Sequence, residues 1–181
     1  MSRRRAVPPL LSLLVLTVSI AACSVEQTLP PPHCEQAGSG LIVAQSVPDA
    51  ELVPCVGPLP AGWEIDGVRI DDGGTRLRFD SDRAGDDAAV LHFTRTCDRG
   101  DAVTVPSDRA GAERFESIER LVPGFRADRY YAFEGGCVRW RFDFDDGAPA
   151  GLSVELGSAL VLLSRDDVNE ILRETFIDEE L

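Results

Sequence analysis

The sequence predicts an α+β fold: an antiparallel sheet of five or six strands, C-terminal helices packed on one of its faces, and two disulfides. Three observations lead to this reading. Apolar and charged residues alternate through the middle of the chain, most plainly at Val138, Trp140, Phe142 and Phe144, as half-buried strands require. The period lengthens near the C-terminus, where Val168, Ile171, Leu172 and Phe176 recur at helical spacing. Of five cysteines, Cys34, Cys55, Cys97 and Cys137 form an even set once Cys23 is set aside, as two disulfides need.

In chain order, Trp63 to Ile70 and Thr75 to Phe79 flank Asp71-Asp72-Gly73-Gly74. Short strand-like runs joined by Asp-Gly residues signal a hairpin, because such turns need positive φ. Ala88 to Thr96, with Val90, Leu91 and Phe93, reads as a third strand, whereas Ala112 to Leu121 suits either a strand or a helix. Arg129 to Phe133 and Cys137 to Phe144 form a second antiparallel pair around Glu134-Gly135-Gly136. Leu152 to Leu156 suggests a short helix and Ser158 to Leu163 a buried strand. Ser164-Arg165-Asp166-Asp167 then carries a helix-capping pattern. Four cysteines allow three pairings; the favoured one joins Cys34 to Cys55, closing a loop rich in Pro and Gly, and Cys97 to Cys137, stapling distant strands. Zinc is the rival reading of these cysteines, but none has C-x-x-C spacing and histidine is scarce.

The first 23 residues have a different character. Arg3-Arg4-Arg5 precede an apolar run from Leu10 to Ile20, and Ala21-Ala22 lead into Cys23. So short a run does not comfortably span a hydrocarbon core about 30 Å thick. Residues 1–22 are therefore expected to be a cleavable signal peptide, whose strongly apolar centre favours the general secretory route over the twin-arginine one. Ile20-Ala21-Ala22-Cys23 resembles the lipobox of bacterial lipoproteins, and the absence of lysine gives the chain a composition like that of GC-rich actinobacteria. The resemblance covers the leader only. It implies that Cys23 receives a thioether-linked diacylglycerol and becomes the new N-terminus, at the extracytoplasmic face of the cell membrane. Two acyl chains give stable anchoring, each buried methylene contributing about 0.8 kcal/mol. The alternative is an ordinary secretory leader with a cysteine close to its cleavage site. Residues 23–33, ending in Pro30-Pro31-Pro32, would form an extended tether, and residues 34–181 a single α+β domain in a compartment that permits disulfides.

Charge and residue types narrow the chemistry. The formal net charge is −13, and removing residues 1–22, with Arg3, Arg4 and Arg5 as their charged side chains, leaves −16. Such a surface repels nucleic-acid phosphates, so no nucleic-acid partner is expected. All 18 basic residues are arginine, which removes Schiff-base chemistry. His92 is the one histidine expected in the folded region, no Gly-x-Ser-x-Gly accompanies it, and a strand histidine with a hydrogen-bond partner is the reading adopted. Asp80-Ser81-Asp82 with Gly85-Asp86-Asp87 resembles a calcium loop, and Asp143, Asp145 and Asp146 form a second acidic cluster. An EF-hand opening at Asp80 would nevertheless put Leu91 where its bidentate Glu belongs, so both clusters are read as turn acids. No cofactor motif and no metal site is assigned.

The candidate binding residues are Tyr130, Tyr131, Arg139 and Arg141, where cations interleave with rings. Alternation sends one of the two tyrosines outward and Trp140 inward. Arg139 and Arg141 fall on the face opposite Trp140, with Arg129 expected near them. These readings converge on a membrane-anchored lipoprotein with a non-enzymatic binding role, its partner an envelope protein or cell-wall component. The alternatives are a carrier or sensor of a small apolar ligand and a carboxylate-based hydrolase. Mass spectrometry of the native N-terminus should find an acylated Cys23, and an intact Met1 or a free terminal thiol would refute the anchor.

Overall fold

The computed structural model describes Cys34, residues 43–71 and residues 73–178, with side chains through residue 174. The expected signal peptide, Cys23, the tether, Asp72 of the first turn and the side chain of Phe176 lie outside the described residues.

A seven-stranded antiparallel sheet organises the domain. Its strands are β2 (Trp63–Asp71), β3 (Gly74–Ser81), β4 (Gly85–Thr94), β5 (Val103–Val105), β6 (Glu113–Arg120), β7 (Arg126–Phe133) and β8 (Gly136–Asp143), in the order β2-β3-β4-β8-β7-β6-β5. A separate antiparallel ribbon pairs β1 (Leu52–Val56) with β9 (Leu160–Ser164). Two helices complete the fold, α1 (Leu152–Ser158) and α2 (Arg165–Asp178), and residues 43–46 are also helical.

The β7–β8 turn depends on glycine. Phe133 pairs with Gly136 across it, and Gly135 has φ +70°, a conformation that L side chains rarely adopt. A Cβ there would also collide with the carbonyl of Asp49, so the bare backbone lets the segment before β1 lie against the turn. The Glu51 amide donates to the Glu134 carbonyl at 2.9 Å in the same place.

One sheet face is apolar. Leu77, Leu91 and Trp140 lie directly opposite one another across β3, β4 and β8, as do Phe79, Ala89 and Phe142 in the next row, and all six are buried. Trp140 stacks on Phe142 with centroids 5.7 Å apart and meets Phe79 at 5.1 Å. The expected inward set Val138, Trp140, Phe142 and Phe144 is buried throughout. Val53 and Val56 of the ribbon, Leu152 and Leu156 of α1, and Val168 of α2 join the same core. Arg165 ties this layer to the chain before β1, its guanidinium donating to the carbonyls of Ala44, Val47 and Ala50 at 2.5–3.0 Å.

The fold class is α+β with two disulfides, as expected, but the strand count and two placements differ. β5 has only three residues, too few for a visible period. β1 was not foreseen because Pro54 interrupts its run; in a two-stranded ribbon each strand has a free edge, where a missing N–H is tolerated. The ambiguous segment is a strand, β6, whose inward positions include Arg114 and Glu116 instead of apolar side chains. The strand expected at 158–163 is β9, two residues later, with Leu160 its buried member. Ser158 belongs to α1, its hydroxyl donating to the Glu155 carbonyl at 2.6 Å. The C-terminal helix packs chiefly on the β1–β9 ribbon and not on the large sheet.

Both expected disulfides form, Cys34–Cys55 and Cys97–Cys137, closing 21 and 40 residues. The cap of α2 is reciprocal, as its sequence implied. The Asp167 amide donates to Ser164 Oγ and the Ser164 amide to the Asp167 carboxylate, both at 3.1 Å.

Trp140→Ala should lower unfolding free energy by about 3–5 kcal/mol through loss of a buried aromatic. Ser164→Ala should lower it by about 1 kcal/mol through loss of the cap. Equilibrium urea denaturation measures both, and equal effects would contradict the packing described.

Candidate functional site

Strand pairing sorts the sequence's candidate residues between two chemically different faces. Leu77, Leu91, Trp140, Arg129 and Glu116 form one cross-strand row on the inner face. Arg69, Arg76, His92, Arg139, Tyr130 and Phe115 form the adjacent row on the outer face. Directly opposed residues share a face and neighbours along a strand do not, so the period of two decides every assignment.

The inner face becomes polar toward β6, where it meets α1 and β9. Arg129, 8% exposed, donates to Glu116 at 2.7 Å and to the Ser153 carbonyl at 3.3 Å. Arg114 donates to the same Glu116 at 2.5 Å and to Asp108 at 3.2 Å. Tyr131 donates its hydroxyl to Asp108 at 3.0 Å. Arg109 reaches from Asp108 to the carbonyls of Gly157 and Leu160 at 2.9 and 3.1 Å. Burial pushes the Glu116 carboxyl up, but hydrogen bonds and charge from Arg114 and Arg129 outweigh it, and its pKa lies below the ordinary value. Asp108 is lowered likewise: burial opposes, and Tyr131, Arg109 and Arg114 prevail.

Two of the expectations are thereby corrected. Tyr131 lies on the inner face, fully buried beside this network, and presents nothing to a ligand. Arg129 is opposite Trp140, hence on the other face from Arg139 and Arg141. The remaining candidates do share the outer face. Tyr130 is only 4% exposed there, with the Arg139 guanidinium 5.6 Å from its ring centre, so its ring supports the arginine more than it offers a stacking surface. Arg139 makes a bidentate pair with Asp128, both bonds 2.9 Å, and Arg141 lies 3.8 Å from Glu119. The Cys97–Cys137 bridge anchors the chain after β4 to β8 on this side. The following residues carry the Arg99 guanidinium to 4.1 Å from the Phe115 ring centre.

Sequence reasoning missed the rest of the outer row. Arg69, Arg76, His92 and Arg139 stand opposite one another on four consecutive strands. Like charges directly opposed destabilise a sheet. Arg69 pairs with Asp71 at 3.2 Å and is 75% exposed along its side chain. Arg76, alone among the described arginines, has no hydrogen-bond, acid or ring partner. His92 is half-buried between Arg76 and Arg139; burial first, then those two charges, lower its pKa against the opposing pull of Asp128. It has no hydrogen-bond partner among the described residues, which corrects the expected bonded histidine. Within the row, Gly67, Val68, Arg69, Arg76 and Arg78 line a depression of about 110 Å³.

The turn placement expected for the acidic clusters is corrected in part: Asp80 lies near the end of β3, Asp86 and Asp87 near the start of β4, and Asp143 at the end of β8. Asp66, Asp80 and Asp87 bring carboxylate oxygens within 4.8 Å of one another, but Arg78 supplies their countercharge, 2.8 Å from Asp66 and 3.8 Å from Asp87. Asp80 also accepts the Asp87 amide at 2.7 Å, from β3 to β4. In the second cluster Asp143 pairs with Arg126 at 2.5 Å. A cleft of about 340 Å³ near the first cluster is lined by Trp63, Glu64, Asp80, Asp82 and Asp86.

Comparison with known protein families, with curated proteins and with solved structures finds no match for this chain. The function must be read from the site itself.

The inner network predicts an acid limb in stability. Glu116 and Asp108 have lowered folded pKa values, so the unfolded chain takes up protons first. Their stabilisation is present above the unfolded carboxyl range, about pH 4, and fades as pH falls through the folded values. Glu116→Gln should lower stability at pH 7 by about 2–3 kcal/mol, leaving Arg129 poorly paired, and should flatten the acid limb. Denaturant titration across the pH range measures this, and an unaltered limb in the variant would contradict the assignment.

Proposed function

We propose that this protein is an exported, lipid-anchored envelope lipoprotein whose disulfide-bonded domain binds a partner and catalyses no reaction. The observation carrying the binding role is the outer sheet face: three arginines and a half-buried histidine in one row, Arg69 and Arg76 exposed to solvent, on a scaffold stapled by two disulfides. A binding module needs a rigid surface with chemically specific side chains, and this face offers one. The leader supports the location. Ile20-Ala21-Ala22-Cys23 supplies the lipidation signal, Cys23 the acceptor, and the other four cysteines pair among themselves. No helix among the described residues is long and apolar enough to cross a membrane.

The alternatives have definite places in the fold. A small apolar ligand would have to lie between the sheet and the layer over it, where Trp140, Leu152 and Leu156 are packed in one core. A carboxylate hydrolase would use the cleft where Glu64 and Asp80 face each other across β2 and β3.

Expressed in its native host, the wild-type protein should partition with membranes, and Cys23→Ser should appear in the soluble extracytoplasmic fraction with both disulfides intact. Immunoblotting of fractions, with non-reducing mass spectrometry, decides this. Retention of the Cys23→Ser protein in membranes would refute the lipid anchor.

A further inference from the structure

We infer that the Arg69–Arg76–His92–Arg139 row is the docking surface for an extended, mixed-charge segment of a partner protein, and that Arg76 receives one of its carboxylates. This deepens the binding role proposed above and rests on it.

The first argument is the arginine without a partner. In a chain with 31 acidic residues against 18 basic ones, a random arginine readily finds a carboxylate, and the other arginines of this row do. Arg69 has Asp71 and Arg139 has Asp128. Arg76 stands exposed between Arg69 and His92 in the cross-strand register, where opposed cations cost stability. An external anion relieves that repulsion and satisfies a guanidinium fork suited to a carboxylate.

Size supplies the second argument. Because Gly67 has no side chain, Arg78 folds into the space beside it, 2.9 Å from where a Cβ would stand. The depression lined by Arg69, Arg76 and Arg78 holds about 110 Å³, a few times the roughly 30 Å³ share of one water. That volume is enough for a single anionic group. The row beyond it crosses three strand spacings of about 4.8 Å each, roughly 14 Å in all, so a ligand contacting its whole length is extended.

The flanks identify the class of partner. The exposed carboxylates of Asp66, Asp71 and Asp87 border the cations through their pairs with Arg78 and Arg69. A dense polyanion meets repulsion from these acids and from the net charge of the protein. A polypeptide carries both signs: its carboxylates can face the row while its lysines or arginines face the bordering acids. An acidic glycopolymer, a polyphosphate or an anionic bilayer lacks the second sign.

The test uses the full mature chain with four probes at low ionic strength: a synthetic alternating Glu-Lys decapeptide, oligoglutamate, polyphosphate, and phosphatidylglycerol vesicles. Calorimetry gives affinity, and NMR follows the His92 imidazole. The Glu-Lys peptide should bind tightest and raise the His92 titration midpoint, since a bound carboxylate offsets the neighbouring guanidinium charge. Arg76→Gln should weaken peptide binding about tenfold or more, as loss of a charge-assisted bond does, while the melting temperature stays level or rises because the side chain holds no internal contact. Arg83→Gln, which removes the exposed pair with Glu155, should leave binding unchanged.

Equal binding by wild type and Arg76→Gln would overturn the proposal, as would no peptide binding. Tighter binding of oligoglutamate, polyphosphate or vesicles would overturn the mixed-charge partner. Because these measurements use purified protein, their failure leaves the Cys23 fractionation result standing, and failure of the lipid anchor leaves them interpretable.

Discussion

The sheet buries one face and leaves the other to solvent, and the remaining architecture follows from that asymmetry. Trp140, Phe142, Phe79 and Leu91 occupy inward positions of three adjacent strands, and together they require a cover. The β1–β9 ribbon, α1 and the chain from residue 43 supply it, contributing Val43, Val53, Leu152 and Leu156 to one core. Dehydration of this surface is the main favourable term. Once it is satisfied, the outward positions are free to carry arginine, aspartate and histidine.

Where the apolar surface runs out, charge takes over the same structural task. Arg129 faces inward opposite Trp140 and is almost fully buried. A lone guanidinium there would cost far more than a hydrophobic side chain, so it is tied to Glu116 and to the Ser153 carbonyl of α1. Arg109 repeats the device at the end of α1, donating to the Gly157 carbonyl in its last turn. These bonds connect the sheet to the layer over it. They also make the covering layer directional, since backbone carbonyls of α1 and β9 must meet particular guanidinium groups.

The outer face shows the opposite economy. Its acids and bases mostly pair with each other; half-exposed pairs such as Arg126 with Asp143 contribute little to stability, whereas Arg139 is held in a bidentate pair by the buried Asp128. Arg76, between Arg69 and His92 and with no internal partner among the described residues, therefore has no folding rationale that the internal contacts explain. Strained or unsatisfied groups of this kind are expected at functional surfaces. The Cys97–Cys137 bridge holds one border of the same face in place.

Much of the fold was legible in the residues themselves. The inward set from Val138 to Phe144, the glycine turn at Gly135, the short helix at Leu152 and the reciprocal cap at Ser164 follow from local period or turn chemistry, and the even cysteine set implied two disulfides, whose pairing the tertiary structure selects. β6 was not legible, because its inward Arg114 and Glu116 carry charge, and hydropathy cannot see a strand whose buried face is polar. β1 was hidden by Pro54. Of the candidate site, alternation alone placed Arg139 and Arg141 on the face opposite Trp140. It could not reveal that Arg69, Arg76 and His92 complete the row, because they come from three different strands and meet only through register. Local periodicity is a property of the chain, and so the sequence by itself determined which residues turn inward along strands whose buried face is apolar, such as β8. Which strands become neighbours, and hence which charges stand side by side, is a property of long-range pairing, and only the tertiary structure decided it.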